Sequence, residues 1–143
     1  MNTNLYYAIE ETDSFNLYLI KFYVEENAVL FKKVPGGDAN YLKKEILNFK
    51  KEGVTVFGQP EYTYWGAYLE SAKKVSFKVE NEVSNSSDSW ATHEVLEFKG
   101  TFEENDTIQM NQKNPHVYFE SNRLYTKTTE SDLIALLVEK CTI

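Results

Sequence analysis

The sequence predicts a mainly β chain: an antiparallel up-and-down β-barrel, or a strongly coiled sheet, of roughly seven to nine strands with two helices. Three observations lead there. Aromatic residues make up 15% of the chain, carried by ten Tyr and nine Phe, and aromatic side chains suit pleated, half-buried surfaces. Two segments, Trp65 to Val79 and Leu96 to Met110, each read as two strands around a short polar turn. Each also carries one glycine, Gly66 or Gly100, inside its first strand, where a glycine marks a bulge or a sharp bend as a sheet curls. The length of 143 residues suits one domain spanning 1–143, large enough for a core without disulfides.

The elements follow from local pattern. Leu5 to Glu11 is a short apolar strand ended by the turn cluster Thr12-Asp13-Ser14. From Asn16 to Glu25, Tyr18, Ile20, Phe22 and Val24 share one face, while Leu17, Leu19, Lys21 and Tyr23 share the other. A strand apolar on both faces must be covered on both. Glu25-Glu26-Asn27 turns the chain, and Ala28 to Val34 returns as a strand. Pro35-Gly36-Gly37 ends the sheet. Asp38 is placed to cap a helix near 38–52 through Tyr41, Leu42, Ile46 and Phe49, with Gly53 as its stop. The lysines Lys43, Lys44, Lys50 and Lys51 fall largely opposite, as a solvated face.

Val54 to Phe57 reads as a short strand. Tyr62 to Glu70 and Val75 to Glu80 form the first hairpin, and Asn81 to Ser89 is a polar loop. Ala91 to Phe102 pairs with Thr107 to Gln112 around Glu103-Glu104-Asn105-Asp106, and Val117 to Lys127 is the last strand after Asn114-Pro115. Leu96, Phe98, Gly100 and Phe102 share an inward face. In the first hairpin Val75, Phe77 and Val79 point in, but the opposing strand offers two rows, Tyr62, Tyr64, Gly66 and Tyr68 against Trp65, Ala67 and Leu69, and alternation does not choose between them. Beyond residue 128 the period changes. Thr129 or Ser131 caps a C-terminal helix near 130–140 through Leu133, Ile134, Leu137 and Val138, with Glu130 and Asp132 in its first turn and Lys140 in its last.

Charge and motif content narrow the function classes. The net charge is −7, the pI is about 4.9, and Arg123 is the single arginine, so a nucleic-acid face is not expected. Cys141 is alone, which excludes an internal disulfide and a cysteine metal cluster. His93 and His116 have no ligand spacing around them, and Glu94, Glu97 and Glu120 alternate with apolar neighbours as solvent-facing carboxylates would. No metal, cofactor or catalytic set is expected, and the chain reads as a non-enzyme. No apolar run reaches membrane length, and Met1-Asn2-Thr3-Asn4 carries no signal-peptide pattern, so the expectation is a soluble, cytoplasmic protein unless a signal has been removed.

A family resemblance rests on the strand and turn Lys21 to Val29, the segment Gly66-Ala67-Tyr68 with Val75-Ser76-Phe77, and Phe98-Lys99-Gly100-Thr101-Phe102 with Asp106-Thr107-Ile108. Over about residues 18 to 112 this resembles small uncharacterised lipocalin-like domains of bacteria. The resemblance implies an up-and-down barrel followed by a helix, and it transfers no functional residue.

Two functions are then expected in competition. In the first, the barrel binds a small, mostly apolar ligand lined by Phe22, Phe77, Phe98, Phe102, Met110 and Phe119, with Tyr64 or Tyr68 supplying a hydroxyl. The same side chains could equally fill the barrel. In the second, an acidic surface with the Tyr62 to Tyr68 band docks a protein partner and there is no small ligand.

Overall fold

The computed structural model describes residues 3–11, 15–36, 38–50, 63–83, 92–114 and 119–141, and within these the side chains of all but 63–65, 81–83, 92–94, 119 and 141. Eight strands close into an antiparallel barrel in chain order: β1 (Thr3–Glu11), β2 (Phe15–Tyr23), β3 (Ala28–Pro35), β4 (Thr63–Ser71), β5 (Lys74–Val83), β6 (Thr92–Glu103), β7 (Thr107–Asn114) and β8 (Phe119–Thr128). Helix α1 (Ala39–Leu47) follows β3, and α2 (Glu130–Cys141) follows β8. This is the predicted class, and it agrees with the architecture that the lipocalin-like resemblance implies.

Two separate cores explain the two-faced pattern of β2. Tyr18, Ile20 and Phe22 point into the lumen with Tyr6, Ala8, Val29, Phe31, Tyr68, Val75, Phe77, Val79, Leu96, Phe98, Ile108, Met110 and Tyr125. Leu17, Leu19 and Tyr23 point outward and pack with Leu5, Leu30 and Val34 against Leu42, Ile46 and Phe49 of the α1 region and Leu133 and Leu137 of α2. The helices lie against each other on this outer wall. Two lysines sit beneath them. Lys21 Nζ donates to the carbonyl of Phe49 at 2.9 Å and pairs with Glu130 at 3.4 Å, and Lys32 pairs with Glu45.

Several boundaries differ from expectation for visible reasons. Helix α1 stops at Leu47 rather than near residue 52: Asn48 is its C-cap, its N–H bonding Lys44 O, and the next carbonyl but one is taken by Lys21. Asp38 is the N-cap, accepting from Tyr41 N at 2.8 Å. Of the two expected caps for α2, Thr129 takes the role, its Oγ1 accepting from Asp132 N. Val24 lies in the turn and is 40% exposed, so it does not extend the inward face of β2. Tyr41 and Val138 are exposed, and Leu136 replaces Val138 in the buried stripe of α2. Strand β5 continues to Val83, three residues into the expected loop. The expected strand Val54–Phe57 and the stop at Gly53 lie outside the described residues.

The two strand glycines do different work. At Gly66 the β4–β5 ladder is interrupted: Trp65 pairs with Glu80 and Tyr68 with Phe77, and nothing is paired between. A Cβ on Gly66 would stand 2.0 Å from the carbonyl oxygen of Lys78, so two backbones approach there as only glycine permits. A Cβ on Gly100 would meet Met110 Sδ at 2.7 Å and Ile108 Cγ2 at 2.8 Å, which are side chains that can turn aside. Gly66→Ala is therefore expected to destabilise more than Gly100→Ala. The second should fall in the range of core overpacking, about 1–3 kcal/mol, and the first above it. Urea unfolding of both variants checks the order.

Candidate functional site

The barrel has two unlike ends. At one, β2–β3, β4–β5 and β6–β7 are joined by the tight turns 24–27, 72–73 and 104–106. Asn27, Ala72, Asn105 and Asp106 take left-handed backbone conformations there. The opposite end carries the connections β1–β2, β3–β4, β5–β6 and β7–β8.

Toward the turn end the lumen is filled by rings. Tyr6 meets Phe22 edge-on at 5.7 Å, Phe22 meets Phe77 at 5.8 Å and Tyr68 at 4.9 Å, and Phe77 stacks on Phe98 at 4.6 Å. Phe98 then meets Phe31 at 4.9 Å, and Phe31 stacks with Tyr18 at 6.4 Å. The row runs from Tyr6 near the turns to Tyr18 near the loop end. Of the residues expected to line a ligand, Phe22, Tyr68, Phe77, Phe98 and Met110 are buried in this lumen, and Phe102 is half-buried against it. The side chains of Tyr64 and Phe119 lie outside the described residues. Tyr68 settles which row of β4 faces in where it is described: it points to the lumen, and Leu69 on the other row is 73% exposed. A shallow groove crosses that outer wall past Ala67, Leu69, Ser76, Lys78 and Lys99.

The row of rings ends on a polar group that the sequence reading did not single out. Arg123 of β8 lays its guanidinium over the Tyr18 ring, 3.8 Å from the centroid. Its Nη2 donates to the Tyr18 hydroxyl at 3.0 Å, Nη1 donates to Gln112 Oε1 at 3.1 Å and to Ser121 Oγ at 2.8 Å, and Nε donates to Glu10 Oε2 at 3.0 Å. Tyr18 in turn donates to Glu10 at 3.4 Å. The Arg123 side chain is 10% exposed and that of Glu10 38%. Arg123, Tyr125 and Ser121 are in phase on one strand, two residues apart. That spacing is the readable signal, since alternate residues of a strand share one face.

This cluster sits where the barrel closes least. Most neighbouring strands pair over long ladders, ten residue pairs for β5–β6, but β1 and β8 pair only at Leu5–Thr128, Tyr6–Lys127 and Tyr7–Thr126. Continued at the same register, Ala8 stands opposite Tyr125 and Glu10 opposite Arg123. Side chains thus carry the seam beyond the point where the backbone ladder stops.

Tyr125 has a second peculiarity. Its hydroxyl is buried and, among the described residues, makes no hydrogen bond of ordinary geometry. A buried donor without a partner destabilises a fold by about 1–3 kcal/mol. Burial pushes the Tyr125 hydroxyl far above the usual tyrosine range, while the nearby positive charge of Arg123 pulls it partly back. Burial likewise raises Tyr18, where the Glu10 carboxylate adds to the effect and Arg123 opposes it. It also raises Tyr6 and Tyr68 at the turn end, with Glu70 contributing to both and Asp106 to Tyr6.

Other expected groups fall elsewhere. Glu97 pairs with Lys78 at 3.5 Å and Glu120 accepts from Asn111 at 2.7 Å. The side chains of His93, Glu94 and Cys141, and all of His116, lie outside the described residues. Among the described residues no helix is long and apolar enough to cross a membrane. Compared with known proteins, the chain matches no family model, no curated protein and no solved structure.

The tyrosine shifts have a sign that can be measured. Each raised hydroxyl holds its proton more tightly in the fold than in the unfolded chain, where the ordinary value is 10.0. The stability tied to these protons is whole below pH 10 and is lost as pH rises above it. Spectroscopic titration of tyrosinate should therefore show a late class of hydroxyls that ionise only as far-ultraviolet circular dichroism collapses. Smooth titration of all ten tyrosines before any loss of structure would contradict this.

Proposed function

We propose that this chain is a lipocalin-like binding barrel without a catalytic step, which receives a small, largely apolar ligand through the loop end. One observation carries the reading: an aromatic lumen terminates in an inward-facing arginine beside a buried, unpaired tyrosine hydroxyl. Apolar walls with a few convergent polar groups are the usual makeup of small-molecule sites. The inward position of Tyr68 supports it over the partner-docking alternative, because that tyrosine is then no part of an exposed aromatic band.

The lumen rings pack on one another in the unliganded chain, so a ligand takes its place by displacing part of that packing. Met110, with its unbranched and adaptable side chain, is the position best suited to give way. In this reading Phe22, Tyr68, Phe77 and Phe98 form the floor against which the ligand rests.

Native mass spectrometry of gently purified protein tests the proposal directly. The expected spectrum contains a second species heavier than the apo chain by the mass of one small molecule, removable by organic extraction. A clean apo mass, together with no uptake of an uncharged apolar fluorophore such as N-phenylnaphthylamine, would overturn it. Recovery of a stoichiometric protein partner in place of a small molecule would favour the docking reading.

A further inference from the structure

The Tyr125 hydroxyl beside the Arg123 guanidinium specifies more than a polar end to the lumen. An arginine has five N–H donors. Among the described residues Glu10 takes the Nε–H, Gln112 and Ser121 take the two on Nη1, and the Tyr18 hydroxyl takes one on Nη2. The second Nη2–H has an acceptor at hand in the Tyr125 oxygen, on which Arg123 acts, because a hydroxyl accepts as well as donates. What is left without a partner at this point, among the described residues, is the Tyr125 O–H, on the inward face of the strand that carries Arg123 two residues away.

A buried donor beside a cation calls for an acceptor. A ligand ammonium or alcohol proton would meet a donor and a positive charge, and is disfavoured. The choice between a carboxylate and an uncharged oxygen turns on Glu10. Its carboxylate already stands 3.0 Å from the guanidinium, so the buried cation is paired before any ligand arrives. A ligand carboxylate would be a second anion on one guanidinium, stripped of water beside the first, and burial of an incompletely compensated charge is strongly unfavourable. Lys33, whose ammonium lies 5.9 Å from the Tyr18 ring, is exposed and its charge is screened by solvent. A carbonyl oxygen accepts without carrying a charge, and it satisfies the Tyr125 donor. The seam favours such a group here as well: the β1–β8 ladder has already ended, and the residue across from Tyr125 in register is the small Ala8.

We infer that the ligand is an apolar molecule bearing an uncharged carbonyl, an ester, amide, ketone or aldehyde, whose oxygen accepts from the Tyr125 hydroxyl at the β1–β8 seam. This rests on the binding-barrel reading and names its ligand class.

The test uses the full chain and a series with one alkyl body: methyl octanoate, octanamide, octanoate, octylamine and octane, each competing against N-phenylnaphthylamine fluorescence. The two carbonyl compounds are expected to displace the probe at concentrations about tenfold lower than octane, the worth of one good buried hydrogen bond. Octanoate and octylamine should be no better than octane. Tyr125→Phe should erase the carbonyl advantage, bringing methyl octanoate and octanamide level with octane. It should also leave the melting temperature unchanged or higher, because the hydroxyl it removes is buried without a hydrogen bond of ordinary geometry among the described residues. Preference for octanoate, equal displacement by all five compounds, or a Tyr125→Phe variant that melts lower without altering ligand selectivity would each overturn the inference while the barrel reading stands. Failure of the probe to bind at all removes the barrel reading itself, and the inference with it.

Discussion

Everything inside this molecule depends on how β1 meets β8. The other seven strand pairs share five or more paired residues each, but the closing pair joins the first strand to the last with three. A barrel has no edges only if that seam holds. Beyond Tyr7 the contact passes from backbone to side chain, to the ion pair of Glu10 with Arg123 and the guanidinium laid on Tyr18. Arg123 therefore acts on two problems at once: it draws β8 to β1 and β2, and it caps the row of rings at Tyr18. The polarity that makes this end chemically interesting is inseparable from closure.

The outer wall answers a second constraint. A lumen is covered by definition, but a strand apolar on its outside is not, and β2 is apolar on both sides from Leu17 to Tyr23. The two helices supply that cover, and the lysines under them fix their positions. Lys21 reaches both the chain leaving α1, at the Phe49 carbonyl, and the first residue of α2, Glu130. One buried ammonium thus ties β2 to both, the second of them 109 residues away in sequence.

Much of the frame was legible in the sequence because it rests on period and punctuation. Alternation placed the inward rows of β2, β5 and β6, the strand glycines marked curvature, and Asp38 and the 129–131 segment located the helix starts. Alternation could not orient β4, where Tyr and Trp rows are equally apolar; the close approach of Gly66 to Lys78 and the burial of Tyr68 are three-dimensional facts. The polar end of the lumen was missed for another reason. Arg123 was read for its charge and its singularity, as a poor supply of phosphate contacts, rather than for its phase with Tyr125. The partners that make it a site, Glu10, Tyr18 and Gln112, come from three other strands, and no local pattern joins them. Its expected companions Tyr64 and Phe119 lie beyond the described side chains, so the aromatic lining was legible as burial but not as a binding surface.

The double-faced strand also has a kinetic side. α2 follows every strand in the chain, so on the ribosome the whole sheet is made before the helix that covers part of its outer wall. Until then Leu17 to Tyr23 is a seven-residue run of high β-propensity, the kind of segment that pairs with its own copies when exposed. Lys21 stands inside that run, and a charge within such a segment works against pairing with its own copies. The residue that ties both helices to the wall in the finished fold is thus also the charge carried by the run those helices come to cover.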